Sequence, residues 1–356
     1  MSSGPEELGG QSLFGLVEYK GDGQYVSVEV GGLARALQPV VLYVHGWQPG
    51  AYKKPVPDSF VTPKDVYGES RDVAVPWHEA GYRVMCFLWV PFADEIDVAT
   101  AEKKIWSSGP EGVQRRRRPD GGYDSVPGVG DIGGALLQAY CGLVGEATRV
   151  HVVGHSLGCQ MVGRLLELLL ESSAARLPCR VTLLDPYFTN FAKCYLEGKW
   201  TGERVRDAVR RAAERGCAIE QVTSSAVLKN PLSDANTELR SHTASFVLKP
   251  KFMKLDYGPG DVDVLVNQHA YARFAYFASF GCGAATAGPA DTCVAGLADR
   301  TDIEVRRLMA SDGFFVQAGG RDRWDPSAFV FDQVRGSESC SRPAMCVQAG
   351  RGVACS

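Results

Sequence analysis

The sequence has no apolar run long enough to cross a membrane. A membrane-spanning helix needs about 20 apolar residues, whereas the apolar stretch at 165–170 contains Glu167 and is soon followed by Ser172 and Ser173. The chain also has little net charge, −3 at pH 7, which gives no reason to expect nucleic acid or an anionic membrane surface as the main partner. We therefore expect neither a transmembrane segment nor a nucleic-acid partner.

Histidine is scarce, with 6 residues, whereas cysteine is plentiful, with 11 in 356 residues. No histidine lies among the C-terminal cysteines, and their spacings do not match a zinc site, so we expect no metal. Because the number of cysteines is odd, at least one thiol is unpaired within the chain. Three cysteines fall in apolar patterns and are predicted to be buried thiols: Cys86, Cys141 and Cys159. Five crowd the C-terminal part: Cys282, Cys293, Cys340, Cys346 and Cys355.

This C-terminal crowding bears on the compartment. Disulfides among loop cysteines are typical of an oxidising environment, which favours a secreted over a cytoplasmic protein. The first ten residues lack the basic start and apolar core of a secretory signal, although a processed secreted form would look the same. The sequence leaves the compartment open.

Apolar segments alternate with helical patterns, which indicates an α/β fold. Residues around Gly21-Asp22-Gly23 predict an antiparallel hairpin. Strands are predicted at 39–44, 82–90, 149–153, 180–184, 218–223 and 263–266. Several of them are continuous apolar runs of the kind that is buried on both faces of a parallel sheet. Helices are predicted at 77–80, 157–170, 203–215 and 271–280. We predict a mostly parallel, doubly wound sheet with helices on both faces, whose ligands gather beyond the carboxyl ends of the strands.

The most informative segment is Gly154-His155-Ser156-Leu157-Gly158, between a β-branched run and a helical pattern. A G-x-S-x-G sequence in that context is typical of a nucleophile elbow, in which glycines on both sides let the neighbouring chain pass close to a strained serine. We predict Ser156 as a nucleophile.

A serine nucleophile needs an imidazole to take its proton and a carboxylate to orient that imidazole. Of the histidines after Ser156, His269 is favoured over His242, because it follows the strand-like run 263–266 and precedes a helical pattern, as a residue in a connecting loop would. Asp185 is the favoured carboxylate because it ends an apolar strand, where an unpaired charge is costly. Its rivals are Asp234, Asp261 and Asp263.

The turn His45-Gly46-Trp47 follows another apolar strand. Ester cleavage builds negative charge on the carbonyl oxygen, which two backbone N–H groups can stabilise, and we assign these to Trp47 and Leu157. His45 is a weaker alternative base, since it precedes the serine in sequence. His155, inside the elbow, is interpreted as packing or hydrogen-bonding support.

Taken together, segments 43–47, 153–158 and 183–186 resemble the lipase and esterase branch of the α/β-hydrolase family. The last segment is similar to lipases of the pancreatic type, in which the acid follows the strand after the elbow helix. The resemblance covers about residues 12–280. It implies an esterase or lipase that uses Ser156, Asp185 and His269, with no cofactor.

We therefore expect a hydrolase domain at 12–280, with an aromatic-rich, lid-like insertion at 186–268, and a cysteine-bearing extension at 281–356 that either packs on the same domain or forms a small unit. The expected reaction is hydrolysis of a small-molecule or lipid ester through an acyl-enzyme, with contact to a lipid interface possible. Thioester or amide cleavage, acyl transfer, and a noncatalytic binding role on the same fold stay open, as does the oligomeric state.

Overall fold

A computed structural model describes residues 7–8, 11–28, 38–53, 58–110, 112–145, 147–172, 175–226, 233–253, 262–282 and 293–335. Most of its strands join one 11-stranded sheet. Along this sheet the spatial order is β13-β15-β14-β12-β11-β10-β9-β5-β6-β3-β4. The strands from β6 to β14 in that order run parallel, whereas β3, β4, β13 and β15 add antiparallel edges.

The strands are, in chain order, β1 Glu7–Leu8, β2 Gln11–Ser12, β3 Phe14–Gly21, β4 Gln24–Ser27, β5 Val40–Val44, β6 Arg83–Trp89, β7 Gln114–Arg116, β8 Tyr123–Ser125, β9 Val150–His155, β10 Arg180–Leu184, β11 Ala218–Thr223, β12 Ala244–Val247, β13 Cys293–Ala295, β14 Phe314–Gly319 and β15 Val330–Val334. The central strands β5, β9 and β10 are buried along their whole length. Their continuous apolar sequences suit this position, because helices cover both faces of a parallel sheet. The α/β prediction with a mostly parallel sheet is confirmed.

The helices are α1 Lys64–Tyr67, α2 Val75–Glu79, α3 Val90–Ala93, α4 Val98–Trp106, α5 Ile132–Val144, α6 Gly158–Glu171, α7 Thr201–Glu214, α8 Val262–Ala278 and α9 Asp302–Met309. Helices α4 to α7 pack into one apolar core cluster, and α1, α2, α8 and α9 pack into a second. In the parts of the chain that the structure describes, no helix combines the length and apolar character that crossing a membrane requires.

One predicted strand is wrong. Residues 263–266 form the first turns of α8, and His269 lies inside this helix rather than in a loop. The short run with Val264 and Val266 favours a strand on propensity alone. However, Val266 is 57% exposed and therefore does not pack on a sheet. The buried aromatic residues later in α8 favour a helix, and because helix formation is cooperative, the helix extends toward its N-terminus through residues 263–266.

The predicted lid-like insertion 186–268 contains β11 and β12, two strands of the central sheet, and α7, which covers it. These parts continue the core fold and are not an added cap. The described part of the predicted extension 281–356 also joins the sheet through β13, β14 and β15. Phe315 and Phe331 there pack in the same core cluster as Phe246.

The cysteine predictions have mixed outcomes. Cys86 and Cys159 are buried thiols, as expected, whereas Cys141 is partly exposed. Cys282 is a free, partly exposed thiol. Cys340, Cys346 and Cys355 lie outside the described residues.

Candidate active site

Ser156 lies on the sharp turn between β9 and α6, with a backbone φ of 57°. This left-handed conformation is costly for a residue with a side chain. The flanking glycines permit it: a Cβ on Gly158 would lie 2.1 Å from the Val44 carbonyl oxygen, and one on Gly154 would lie 2.6 Å from the Gly158 carbonyl oxygen. The strand, turn and helix predicted around Ser156 are present.

The turn is held against two neighbouring strand ends. The Ser156 N–H donates to the Leu184 carbonyl oxygen at 3.0 Å, at the end of β10. On the other side, a Cβ added to Gly46 would come within 2.6 Å of Ser156 Cβ. Ser156 therefore lies between the turn after β5 and the residue that follows β10.

Asp185 is that next residue. Its side chain is fully buried, and its Oδ2 lies 2.6 Å from His269 Nδ1. Because an ionised carboxylate only accepts hydrogen bonds, His269 Nδ1 carries the hydrogen and Nε2 is left as the proton acceptor of the ring. The imidazole itself is partly open, with 18% of its side chain exposed.

Asp185 also receives hydrogen bonds from the loop after β11. The Ser224 N–H donates to Oδ1 at 3.0 Å, and the Ser225 hydroxyl donates to Oδ2. Burial alone would raise the pKa of Asp185, but the hydrogen bonds from His269, Ser225 and Ser224 bring the pKa below its ordinary value. The carboxylate therefore stays ionised at neutral pH and can stabilise a protonated imidazole.

The rival residues lie elsewhere. Asp234 is paired with Arg206, and Asp263 is exposed in the first turn of α8. Asp261 lies outside the described residues. His242 lines a surface groove together with Trp200 of the segment before α7. The structure brings together Asp185 and His269, the pair favoured from the sequence.

His155 supports His269 through the backbone. Its Nε2 donates to the His269 carbonyl oxygen at 3.0 Å, and the two ring centroids are 4.6 Å apart. Burial, with the nearby His269 and Arg273, lowers the pKa of His155 to about 3. His155 is thus neutral at physiological pH, and its one ring hydrogen fixes the position of the helix turn that carries His269.

His45 is likewise occupied by backbone groups. Its Nδ1 donates to the Gly46 carbonyl oxygen at 2.9 Å, and its Nε2 accepts from the Trp89 N–H at 3.0 Å. Burial lowers the pKa of His45. Since both ring nitrogens are paired, His45 fixes the turn after β5, and the alternative of His45 as a base loses its support.

The predicted oxyanion groups belong to two neighbouring turns, Trp47 to the turn after β5 and Leu157 to the turn between β9 and α6. Among the residues that the structure describes, no acceptor is paired with the backbone N–H of Trp47 or of Leu157. Trp47 is anchored through its side chain, whose Nε1 donates to the Glu95 carbonyl oxygen at 2.9 Å. Unpaired backbone N–H groups are the kind of donor that can stabilise a developing oxyanion.

Sequence reasoning missed a partly buried ion pair near His155. Arg273 Nη1 lies 2.6 Å from Asp58 Oδ2, and the Tyr43 hydroxyl donates to the same oxygen at 2.7 Å. Arg273 follows His269 by one helical turn, so the pair fixes the rotation of α8. A signal was present, because an arginine inside the otherwise apolar run 270–278 demands a carboxylate partner.

No protein-family model matches the chain, and no curated protein matches it. In the described ranges, no group of three or more histidine, cysteine, aspartate or glutamate side chains is placed to hold a metal ion. The chemical capacity of the site therefore depends on its own geometry. It combines a strained serine, a carboxylate–imidazole pair and two unpaired N–H groups at one edge of the sheet.

Proposed function

We propose that the protein is a serine hydrolase that cleaves carboxylic esters on an α/β-hydrolase fold. The observation that carries the proposal is the 2.6 Å contact between His269 Nδ1 and buried Asp185, beside a serine with a φ of 57°. Such a pair orients an imidazole for proton transfer. In this proposal Ser156 is the nucleophile, His269 the general base and Asp185 the residue that orients it.

The reaction runs in two halves. Ser156 Oγ attacks the ester carbonyl carbon while His269 Nε2 takes the hydroxyl proton, and the carbonyl oxygen becomes negatively charged. The N–H groups of Trp47 and Leu157 stabilise that oxygen. The intermediate collapses to an acyl-serine, and His269 gives its proton to the departing alcohol. Water, deprotonated by His269, then releases the carboxylic acid and restores Ser156.

The neighbouring contacts support this assignment. His45 and His155 are neutral and hydrogen-bonded to backbone oxygens, so each holds a part of the site without competing for the proton. The placement of Asp185 directly after β10 matches the pancreatic-type position of the acid. A covering, lid-like role is retained in the proposal only for the parts of 186–268 that lie outside β11, β12 and α7.

Hydrolysis of p-nitrophenyl butyrate tests the proposal. We expect turnover by the native protein and a fall in kcat of about 10⁴-fold or more in Ser156→Ala. Ser241→Ala is a matched control, because Ser241 is exposed and its hydroxyl donates to the Glu238 carbonyl oxygen. Equal turnover by the Ser156→Ala variant, with unchanged circular dichroism, would contradict the proposal.

A further inference from the structure

A groove of about 680 Å³ lies beside the candidate active site. Its floor is apolar and crosses neighbouring strands, with Val247 from β12, Phe314 and Val316 from β14, and Val334 from β15. In-register pairing of Val247 with Val316 places these side chains on one face of the sheet. The floor is therefore a continuous surface on which an aliphatic chain can pack.

One end of the groove touches the site. Ser224, Ser225 and Gln268 line that end. Ser225 donates to Asp185, and the Ser224 hydroxyl donates to the Gln268 carbonyl oxygen at 2.6 Å, next to His269. The groove therefore begins at the same groups that hold the carboxylate–imidazole pair.

The charged lining of the groove has one sign. Arg240, Lys249 and Lys251 line it, and among its described lining residues there is no aspartate or glutamate. The Arg240 guanidinium lies 4.2 Å from the centroid of the Phe314 ring. The Lys251 Nζ lies 3.6 Å from Asp322 Oδ1, in an ion pair that is largely exposed. The groove lining is therefore positively charged, although the net charge of the whole chain is −3.

We propose that this groove binds the distal end of an acyl chain that carries a carboxylate. The inference rests on the proposed ester hydrolysis and names its substrate class, monoesters of aliphatic dicarboxylic acids. The methylene groups pack on Val247, Phe314 and Val316, because burial of apolar area is favourable. The free carboxylate pairs with Lys249 and Lys251 at the rim of the groove.

The test uses mono-p-nitrophenyl esters of dicarboxylic acids from succinate to dodecanedioate. Each is compared with the neutral diester in which the distal carboxylate is methylated. At low salt we expect kcat/KM to favour the free carboxylate by about three- to tenfold, a typical gain for one or two exposed charge pairs. The preference should peak at one chain length, and it should shrink at high ionic strength because exposed charges are screened.

Substitution of the two groove lysines tests whether they cause the preference for the free carboxylate. In the double variant Lys249→Gln/Lys251→Gln the preference should fall close to one. Lys103→Gln is the matched control, since Lys103 is an exposed lysine on α4 away from the groove, and it should keep the preference of the native protein. Equal kcat/KM for charged and methylated esters, or a preference that survives the double variant, overturns the groove proposal while ester hydrolysis stands. Absence of turnover for both ester series overturns the proposed function itself.

Discussion

His155 Nε2 donates to the carbonyl oxygen of His269 at 3.0 Å, so the residue before the candidate nucleophile holds the backbone of the candidate base. The two residues are far apart in the chain and come from different elements, β9 and α8. Their contact joins the serine turn to the helix that presents the imidazole. The distance between nucleophile and base therefore depends on a side chain that does not itself react.

Removing the His155 N–H donor should leave the position of His269 less well fixed. We expect His155→Phe to lower kcat about 10- to 100-fold with a small change in KM, because small displacements of reacting groups are costly. His155→Gln keeps an N–H donor of similar reach and should recover part of the loss. Steady-state kinetics with p-nitrophenyl butyrate measure both, and equal kcat for the two variants would argue against a positioning role.

The orienting carboxylate gives a second prediction. Asp185→Asn should lower kcat about 10³- to 10⁴-fold, because an amide does not stabilise the imidazolium and favours the wrong tautomer. Asp234→Asn is the control, since Asp234 pairs with Arg206 rather than with His269, and its kcat should stay within about twofold of the native value. A comparable loss in both variants would point to a general effect on folding.

Gly46 tests the close packing around Ser156. In Gly46→Ala the new methyl group would lie 2.6 Å from Ser156 Cβ and 3.1 Å from Ser156 Oγ. We expect a loss of stability of about 1–3 kcal/mol, together with a lower kcat. Gly145→Ala is the control: its Cβ has only ordinary contacts from 3.7 Å, and φ is −64°. It should be neutral or more stable by about 0.4–1 kcal/mol in urea unfolding.

The buried histidines predict how stability varies with pH. The pKa of His155 is about 3 in the folded protein against an ordinary value of 6.5, and burial also lowers the pKa values of His45 and His151. At pH values between the folded pKa of a histidine and its ordinary pKa, the unfolded chain binds more protons than the folded one. Stability is therefore full above pH 6.5 and falls on acidification, by up to about 1.4 kcal/mol per pH unit for each histidine.

Urea unfolding between pH 7 and pH 5 measures this slope. His155→Gln removes one of the three groups, so its free energy of unfolding should fall less steeply with decreasing pH than that of the native protein. Parallel curves for the two proteins would show that His155 is not held neutral by the fold.

Much of the sheet was predictable from the sequence, because its central strands carry continuous apolar runs. The predicted strand at 218–223 coincides with β11, and the predicted helix 157–170 differs from α6 by one residue at each end. The serine turn was predictable as well, since its two glycines are required by close backbone contacts. These features depend on local sequence, which is where pattern reasoning is strongest.

The parts that were missed depend on contacts distant in sequence. The sequence predicts a loop at His269 because Val264 and Val266 favour a strand, whereas the helix depends on the buried aromatic residues that follow. Ser224 and Ser225 give no local signal, since their role depends on β11 ending beside Asp185. The short strand β12 carries only Ala244–Val247 and is defined by pairing with β11 and β14.

Labelling with a fluorophosphonate, read by peptide mass spectrometry, tests the central claim most directly. Such a probe reacts with a serine only where a base activates it. The account predicts a single adduct on Ser156 in the folded protein, a much slower reaction in His269→Gln, and none at that position after urea unfolding. A native protein that fails to react at Ser156, or reacts there equally fast in His269→Gln, would contradict the account.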